Sequence, residues 1–434
     1  MELSSIRQVE NFQKKGESMK FHSFLAVALF VIFSTISCGG SDSSSSSGTA
    51  GRISGTVTSP NGDPVSGATV WIPSTSSTAT KVLQVNSKVK GLTDGDGESC
   101  SDPSSTASDS DCSSATGAFT VECSGTGSQT VNFAKGSFTG DTTVNCGSNA
   151  SASSTQFSTD DAPEMAVVTG SYDRIQDVLA KLGYGTVDSS GLLDTTQTFQ
   201  FTLIDGDSTL DSTYTDLSTF VSSVDNLNAF DIIFINCGAD DSVITDSSVV
   251  ARFQSYVQNG GKLYVTDLSY DFIEQPFPDF MDFKDGGSDA ATAETMDAAQ
   301  DGTSGISSDA TVNDTDMAAW LDAVTVNTGD VETCSLTTVN GTTGARNSDD
   351  TVTIADFLSG WAVMEAAHTG ESPTIWIQGP IEYTGGSDSD APLTVTKTES
   401  SGKLLYSSYH TADTCPSTGF WAQERILQYL VFEL

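Results

Sequence analysis

The sequence predicts a multidomain protein in which a small β-sandwich precedes a larger α/β domain built on a parallel sheet. Between residues 51 and 148, short runs of alternating apolar and polar residues are separated by turns rich in Gly, Pro, Asn and Asp, which is typical of a sandwich. From residue 162 to 434, apolar runs of strand length alternate with segments of helical spacing, which predicts a parallel sheet covered by helices. Residues 149–161 form the predicted linker between the two domains.

The chain is strongly acidic, with 57 acidic and 18 basic residues in 434, and a formal net charge of −39. A surface with so few cations cannot neutralise phosphates, so the composition argues against nucleic acid as a partner. A high negative charge keeps a protein soluble and favours cations as partners. A solvated acidic surface without any specific cation is the simpler explanation of the same composition.

The N-terminal region predicts export and a lipid anchor. Residues 19–37 combine a basic start with an apolar run that is short for a membrane span, as in a signal peptide. Thr35-Ile36-Ser37-Cys38 resembles a bacterial lipobox, which implies that Cys38 is lipidated and that residues 38–50 are a Ser-rich tether. Gly39 then fits an outer-membrane, lipid-anchored protein of the cell envelope, on the periplasmic side or exposed at the surface. The alternative is an ordinary secretory signal with a free Cys38.

Residues 1–18 do not fit this plan, because a charged extension before a signal peptide is unusual. We interpret them as a mis-annotated extension and expect Met19 to be the true start. Detection of a peptide from Glu2–Ser18 by mass spectrometry would exclude this interpretation.

Seven cysteines follow Cys38, and an exported chain favours disulfides. Cys237 ends an apolar strand and has no evident partner in the sequence, so it is either a buried thiol or a nucleophile. Proximity along the chain and context predict three pairs, which are Cys100 with Cys112, Cys123 with Cys146, and Cys334 with Cys415.

Two alternating strands within Arg52–Ile72 flank a Pro-Asn-Gly-Asp-Pro turn, and Gly117–Glu122 and Gln129–Phe133 are further strands. This pattern, with Thr93–Gly97 and Thr116–Phe119, resembles the carboxypeptidase regulatory-like domain, a transthyretin-like sandwich. The resemblance implies a non-catalytic spacer or adhesion module with a carbohydrate-binding-like fold.

Asp94, Asp96 and Glu98 alternate within a turn, so their carboxylates could converge on Ca²⁺. The segment does not complete an EF-hand loop, and acidic turns on so acidic a protein are usually just solvated. No other cofactor is required by the sequence.

In the α/β domain, strands are predicted at Met165–Gly170, Phe199–Ile204, Asp231–Gly238 and Lys262–Thr266. Ser171–Asp173 is predicted to cap a helix that Gly183 ends. Ligands of parallel sheets bind beyond the carboxyl ends of the strands. The residues predicted to lie at that edge and to bind a ligand are Ser171, Tyr172, Asp173, Asn236, Gly238, Ser269, Tyr270 and Asp271.

Regular alternation stops after Asp271, and residues 284–350 are predicted to be an insertion with helices near Ala290–Ala299 and Met317–Val324. Later strands are predicted at Thr374–Ile377, Leu393–Thr396 and Lys403–Tyr409. A final helix is predicted at Gln423–Phe432.

This order of elements resembles the class I glutamine amidotransferase-like fold, a flavodoxin-like α/β architecture. Asp267 stands where that family has its nucleophilic cysteine, at the elbow after the fourth strand, and the elbow glycines are absent. His410 is retained in the last motif, while Ala412 replaces the glutamate. These departures exclude amidotransferase chemistry, which needs a thiolate, a base and an orienting acid.

Two interpretations of the Asp267 and His410 pair remain. The pair could act as a catalytic acid and base in a hydrolase, with metal assistance from Asp173 or Asp271. Alternatively, His410 is a satisfied histidine at a strand end and Asp267 caps a turn.

We therefore expect, first, a non-catalytic envelope lipoprotein that recognises carbohydrate or another envelope component. The second expectation is the hydrolase, and the third is a structural or adhesion protein of the envelope.

Overall fold

The computed structural model describes residues 51–74, 92–93, 99–100, 107–124, 127–147, 150–152, 155–285, 293–326, 342–357, 360–367, 373–411 and 418–434. They belong to one compact unit that spans residues 48–434. Several predictions lie outside the described residues: those on residues 1–50 with Cys38, on Asp94, Asp96 and Glu98, and on the Cys334–Cys415 pair. None of the helices in the described ranges is long and apolar enough to cross a membrane.

The N-terminal part is built from short strands. They are β1 (Gly51–Thr58), β2 (Thr69–Pro73), β3 (Leu92–Thr93), β4 (Ser99–Cys100), β5 (Ala107–Cys112), β6 (Ala118–Cys123), β7 (Gly127–Lys135), β8 (Phe138–Cys146), β9 (Ala150–Ser151) and β10 (Thr155–Gln156).

Two four-stranded sheets organise most of these strands. One has the order β10-β1-β6 with β9 also paired to β1, and the other has the order β5-β2-β7-β8. The two strands on either side of the Pro-Asn-Gly-Asp-Pro turn, β1 and β2, therefore belong to different sheets. The alternating side chains Ile53, Val70, Val121 and Phe133 from both sheets are buried in one hydrophobic core.

A disulfide joins Cys123 at the end of β6 to Cys146 at the end of β8, as the sequence predicts, and thereby links the two sheets. The predicted bond between Cys100 and Cys112 is not formed in this structure. Their side chains are hydrogen-bonded to each other instead.

The C-terminal part contains the remaining strands. They are β11 (Met165–Val168), β12 (Thr202–Asp205), β13 (Thr215–Asp216), β14 (Ile232–Ile235), β15 (Lys262–Thr266), β16 (Met281–Phe283), β17 (Ile306–Val312), β18 (Thr325–Val326), β19 (Thr342–Thr343), β20 (Thr351–Phe357), β21 (Met364–Ala367), β22 (Thr374–Tyr383), β23 (Gly386–Glu399) and β24 (Gly402–Ser407).

Among the described residues, ten of these strands form one sheet in the order β13-β12-β11-β14-β15-β24-β23-β22-β17-β20. The strands from β13 to β24 pair in parallel, as predicted. From β24 to β20 every pairing is antiparallel, so the prediction of a wholly parallel sheet is wrong for this half. The long β22–β23 hairpin turns the chain back directly and needs no crossover helix.

The segment predicted to be an insertion contributes to this sheet. Strand β17 lies within residues 284–350 and pairs with β20 and β22. The helix predicted near Met317–Val324 is present, but residues 293–299 of the predicted helix Ala290–Ala299 form turns and bends.

The described α-helices are α1 (Ile175–Leu179), α2 (Leu217–Phe220), α3 (Val224–Leu227), α4 (Ser247–Gln258), α5 (Asp271–Glu274), α6 (Thr315–Ala323) and α7 (Ala422–Val431). The predicted cap of the first helix is wrong, because its N-cap is Arg174 and no side chain caps it. The Asp173 carboxylate is engaged elsewhere, as described below.

Helix α7 holds the two parts of the unit together. Phe432, which follows it, packs against Phe138 of the N-terminal sheets, with ring centroids 4.7 Å apart. The guanidinium of Arg425 donates to the Asp63 carboxylate at 2.5 Å. On another face of the helix, the buried Glu424 carboxylate pairs with the Lys181 ammonium at 2.7 Å. A buried ion pair of this kind fixes the orientation of the helix, because neither charge tolerates the loss of its partner.

Candidate functional site

Three neighbouring parallel strands bring their carboxyl ends together at the centre of the large sheet. Strand β15 lies between β14 and β24, so Cys237, Asp267 and His410, which follow these strands, meet at one place. Their sulfur, carboxylate oxygen and imidazole nitrogen atoms all lie within 4.8 Å of one another. We call these three residues the central cluster.

Asp267 and His410 are direct neighbours. The Oδ2 atom of Asp267 lies 2.9 Å from Nε2 of His410, and the side chains are 1% and 2% exposed. The sequence could predict that the two residues share an edge of the sheet, and the structure places them at hydrogen-bonding distance.

The backbone of Asp267 has a positive φ of 48°, which is uncommon outside glycine but is tolerated best by Asp and Asn. The side chain does not cap the turn that follows, since Thr266 is the N-cap residue there. Instead, its Oδ1 accepts a hydrogen bond from the backbone N–H of Ala362 at 3.0 Å. Its carbonyl accepts one from the Tyr406 hydroxyl at 2.9 Å. Although the elbow glycines are absent, this strand still ends in a sharp turn at Asp267.

Burial sets the proton affinities within the central cluster. It raises the pKa of Asp267 from its usual value, and the hydrogen bond and charge of His410 oppose that rise. Burial, reinforced by the negative charge of Asp267, raises the pKa of the Cys237 thiol well above its usual range. The thiol is therefore protonated at neutral pH and hydrogen-bonds with the Asp267 carboxylate, which makes it a poor nucleophile.

Several predicted ligand-binding residues are buried and make hydrogen bonds within the protein instead of facing solvent. Asp173 is fully buried, and its Oδ2 accepts from the Thr411 backbone N–H at 3.2 Å, next to His410. The Asn236 amide donates to Gln176 at 2.8 Å. The Ser269 hydroxyl donates to the Asn236 carbonyl at 2.8 Å. These bonds tie the strand ends together around the central cluster.

Ser171 and Tyr172 are the predicted binding residues that face outward, and Gly238 is half-buried beside them. The Tyr172 ring is 55% exposed. Gly238 has a φ of 83°, and a Cβ built on it would lie 2.7 Å from the Tyr172 ring, so glycine is required for this arrangement. Ser171, which precedes Tyr172, donates to the Asp207 carboxylate at 3.2 Å. We call Ser171, Tyr172, Asp207 and Gly238 the outer edge.

Asp271 belongs to a second group of acidic residues, and Tyr270 precedes it in the chain. Carboxylate oxygens of Asp241, Asp271 and Asp297 lie within 4.8 Å of one another, and we call these three residues the carboxylate cluster. Burial raises the pKa of Asp271 to about 6, while the Asp297 backbone N–H donates to its Oδ2 at 3.1 Å and opposes that rise. The Tyr270 hydroxyl accepts from the Ala299 backbone N–H at 3.0 Å.

Sequence reasoning missed Asp207, Asp241 and Asp297. Asp207 and Asp241 follow strands β12 and β14, so the rule that ligands gather at strand ends could have found them. Asp297 lies in an irregular segment, and nothing in its sequence surroundings indicates that it approaches Asp271.

Comparison with known proteins finds similarity in structure alone. No family model matches the chain, and no curated protein gives a significant match. Among solved structures, the cytoplasmic protein STM3548 from Salmonella typhimurium is 11% identical, with a TM-score of 0.34, and the match covers 62% of this chain and 98% of that one. The cytoplasmic protein STM1381 from Salmonella typhimurium LT2 is also 11% identical, with a TM-score of 0.31 and the same two coverages.

A ThuA-like protein from Parabacteroides merdae is 14% identical, with a TM-score of 0.31, and covers 62% of this chain and 89% of its own. ThuA-like proteins have a glutamine amidotransferase-like fold. At these identities and TM-scores, the solved structures assign neither a family nor an activity to this chain.

Proposed function

We propose that this protein is a non-catalytic lipoprotein of the cell envelope that recognises carbohydrate or another envelope component at the outer edge. The observation that carries the proposal is the contrast in exposure between two groups at the same edge of the sheet. Asp267 and His410 are enclosed, whereas the Tyr172 ring is 55% exposed, and its neighbour Ser171 is hydrogen-bonded to the Asp207 carboxylate. A substrate must touch catalytic groups, so the exposed outer edge is better suited to binding than the enclosed pair is to catalysis.

Carbohydrate fits the outer edge chemically. An exposed tyrosine ring offers an apolar face to the C–H surface of a sugar, and a carboxylate accepts hydrogen bonds from its hydroxyls. The Asp207 carboxylate is oriented by the hydroxyls of Thr169, at 3.1 Å, and Thr209, at 2.6 Å. A site whose polar group is already oriented loses less entropy when it binds.

The rest of the chain supports an envelope role. In this proposal the N-terminal sheets are a carboxypeptidase regulatory-like sandwich that acts as a spacer. Cys38 carries the lipid anchor in the outer membrane, and Asp94, Asp96 and Glu98 offer a calcium site. The membrane, through that anchor, and the glycan are the proposed partners.

A glycan array tests the proposal directly. Wild type should bind a subset of glycans, and Tyr172→Ala should lose about tenfold or more in affinity because the stacking face is removed. Tyr383→Ala is the matched control, since Tyr383 is a half-buried tyrosine beside Lys284 in the antiparallel half of the sheet. Equal binding by wild type and Tyr172→Ala would contradict the proposal, and a silent array would favour a structural or adhesion protein.

A hydrolase is the second proposal, and the 2.9 Å contact between Asp267 and His410 at the sharp turn favours it. Its test is a screen of ester, amide and glycoside substrates with wild type and His410→Ala. Turnover that disappears in His410→Ala, while the variant keeps its circular dichroism spectrum, would establish the hydrolase. Identical results for the two proteins would exclude it.

A further inference from the structure

We propose that the central cluster is a binding site for a single transition-metal ion of the zinc type, held by Cys237 Sγ, Asp267 Oδ2 and His410 Nε2. The site is independent of the proposed recognition function, because it lies among enclosed residues and not on the outer edge. Three observations support this site: the spacing of the ligand atoms, the chemistry of the ligands, and the hydrogen bonds that orient them.

The spacing of the three ligand atoms suits one ion. With Zn–N and Zn–O distances of about 2.0 Å and a Zn–S distance of about 2.3 Å, tetrahedral ligands lie roughly 3.3 to 3.5 Å apart. The three atoms here lie within 4.8 Å of one another, and Oδ2 and Nε2 are 2.9 Å apart. Side-chain adjustments of a few tenths of an ångström to about an ångström would therefore form the site, without any change in the order of the strands.

The mixture of ligands selects the metal. A thiolate, an imidazole and a carboxylate suit zinc and its neighbours, whereas calcium and magnesium prefer oxygen ligands alone. A divalent ion would also balance the two negative charges that the thiolate and carboxylate would bring into an enclosed site. A coordinating cysteine is a thiolate, so metal binding would release the thiol proton of Cys237.

The surrounding residues already orient the ligands. The N–H of Ala362 binds Oδ1 of Asp267 at 3.0 Å and so leaves Oδ2 directed at His410. The backbone N–H of Cys237 donates to the Thr266 hydroxyl at 3.0 Å, which fixes the chain at the thiol. Outer contacts of this kind are what hold metal ligands in place. The three side chains are 0 to 2% exposed, so we expect the ion to enter during folding.

The test is metal content after refolding. The full-length protein is unfolded with a chelator, refolded with zinc, and dialysed against a weak chelator that strips ions from the acidic surface. Elemental analysis should then find about one zinc ion per wild-type chain, and Cys237→Ser and His410→Ala should retain almost none. Cys100→Ser and Asp271→Asn are the matched controls, since they remove a thiol and a carboxylate outside the site, and they should retain the ion.

Two results would overturn the proposal. One is a wild-type protein without zinc after this treatment, and the other is a Cys237→Ser variant that keeps as much zinc as wild type. Because the variants could fail to fold, X-ray absorption of the zinc-loaded wild type provides a separate reading. One sulfur with nitrogen and oxygen ligands supports the site, whereas several sulfurs or none contradict it.

Discussion

The central cluster and the carboxylate cluster lie close to the same strand ends, but they balance their negative charge differently. In the central cluster a single carboxylate, Asp267, is surrounded by His410, the Cys237 thiol and a backbone N–H. In the carboxylate cluster Asp241, Asp271 and Asp297 face one another, and burial raises the pKa of Asp271 to about 6. The Asp267 carboxylate is stabilised by partners of different chemistry, whereas Asp271 is stabilised when it is protonated.

Burial alone therefore does not define a site. Burial raises the pKa of Asp267 as well, but the complementary groups around it, His410 and the backbone N–H of Ala362, oppose that rise. In the carboxylate cluster, burial and, to a smaller extent, the charges of Asp297 and Asp241 raise the pKa of Asp271, so the protonation of Asp271 changes near pH 6. Each of the following experiments disturbs one cluster and predicts no comparable effect in the other.

The largest expected effect is the protection of Cys237 from thiol reagents. In reduced, chelator-treated protein, the buried Cys237 thiol with its raised pKa should react about tenfold more slowly, or slower still, than the half-exposed Cys100, whose pKa is lowered by a hydrogen bond with Cys112. Mass spectrometry of labelled peptides measures both rates. In urea the rates should converge, and rapid labelling of Cys237 in the folded protein would show that the central cluster is open.

Next in size is the loss of stability on removing the Asp267 carboxylate. Asp267→Ala should lower the free energy of unfolding by about 3 kcal/mol, because it leaves His410 and the Ala362 N–H without their buried partner. Alanine also tolerates the positive φ of 48° poorly. Asp267→Asn keeps an acceptor and tolerates this φ, so its loss should be smaller. Urea denaturation that shows equal losses for the two variants would contradict this account.

The smallest expected effect concerns the carboxylate cluster. The folded-state pKa of Asp271, about 6, lies above the value of an unfolded chain, which is about 4. The unfolded chain therefore releases its proton first as the pH rises. The contribution of Asp271 is complete below about pH 4 and is lost as the pH rises through about 6.

Asp271→Asn should accordingly reduce the decline in urea midpoint between pH 5 and pH 8. Part of the decline should remain, because the pKa of Glu274 is raised to about 7 by burial and by the charge of Asp271. Asp211→Asn is the control, since Asp211 is exposed and bonded to Thr213. A pH profile of Asp271→Asn that is parallel to that of wild type would contradict the assignment.

The sequence predicts what depends on local patterns. The apolar run Lys262–Thr266 and the Asn-Gly-Gly turn before it identify β15, and the helical spacing of Val249, Phe253 and Val257 identifies α4. The meeting of Asp267 and His410 follows from one rule about the carboxyl ends of parallel strands.

The remaining features depend on non-local pairing. The residues of a strand do not indicate whether it pairs in parallel or antiparallel with its neighbour. The sequence therefore could not predict the antiparallel half of the large sheet or the position of β17 in it. Burial of Ser269, Asp271 and Asn236 was missed for a related reason. Polar residues after a strand are usually exposed, and here their hydrogen bonds are completed by elements distant in the sequence.

The central claim is that ligand meets the outer edge and not the central cluster. Hydrogen–deuterium exchange of the full-length protein, with and without the glycan bound most strongly on the array, tests it most directly. We expect slower exchange in peptides that contain Tyr172, Asp207 and Gly238. Slower exchange confined to the two N-terminal sheets, or to peptides of the antiparallel half, would contradict it.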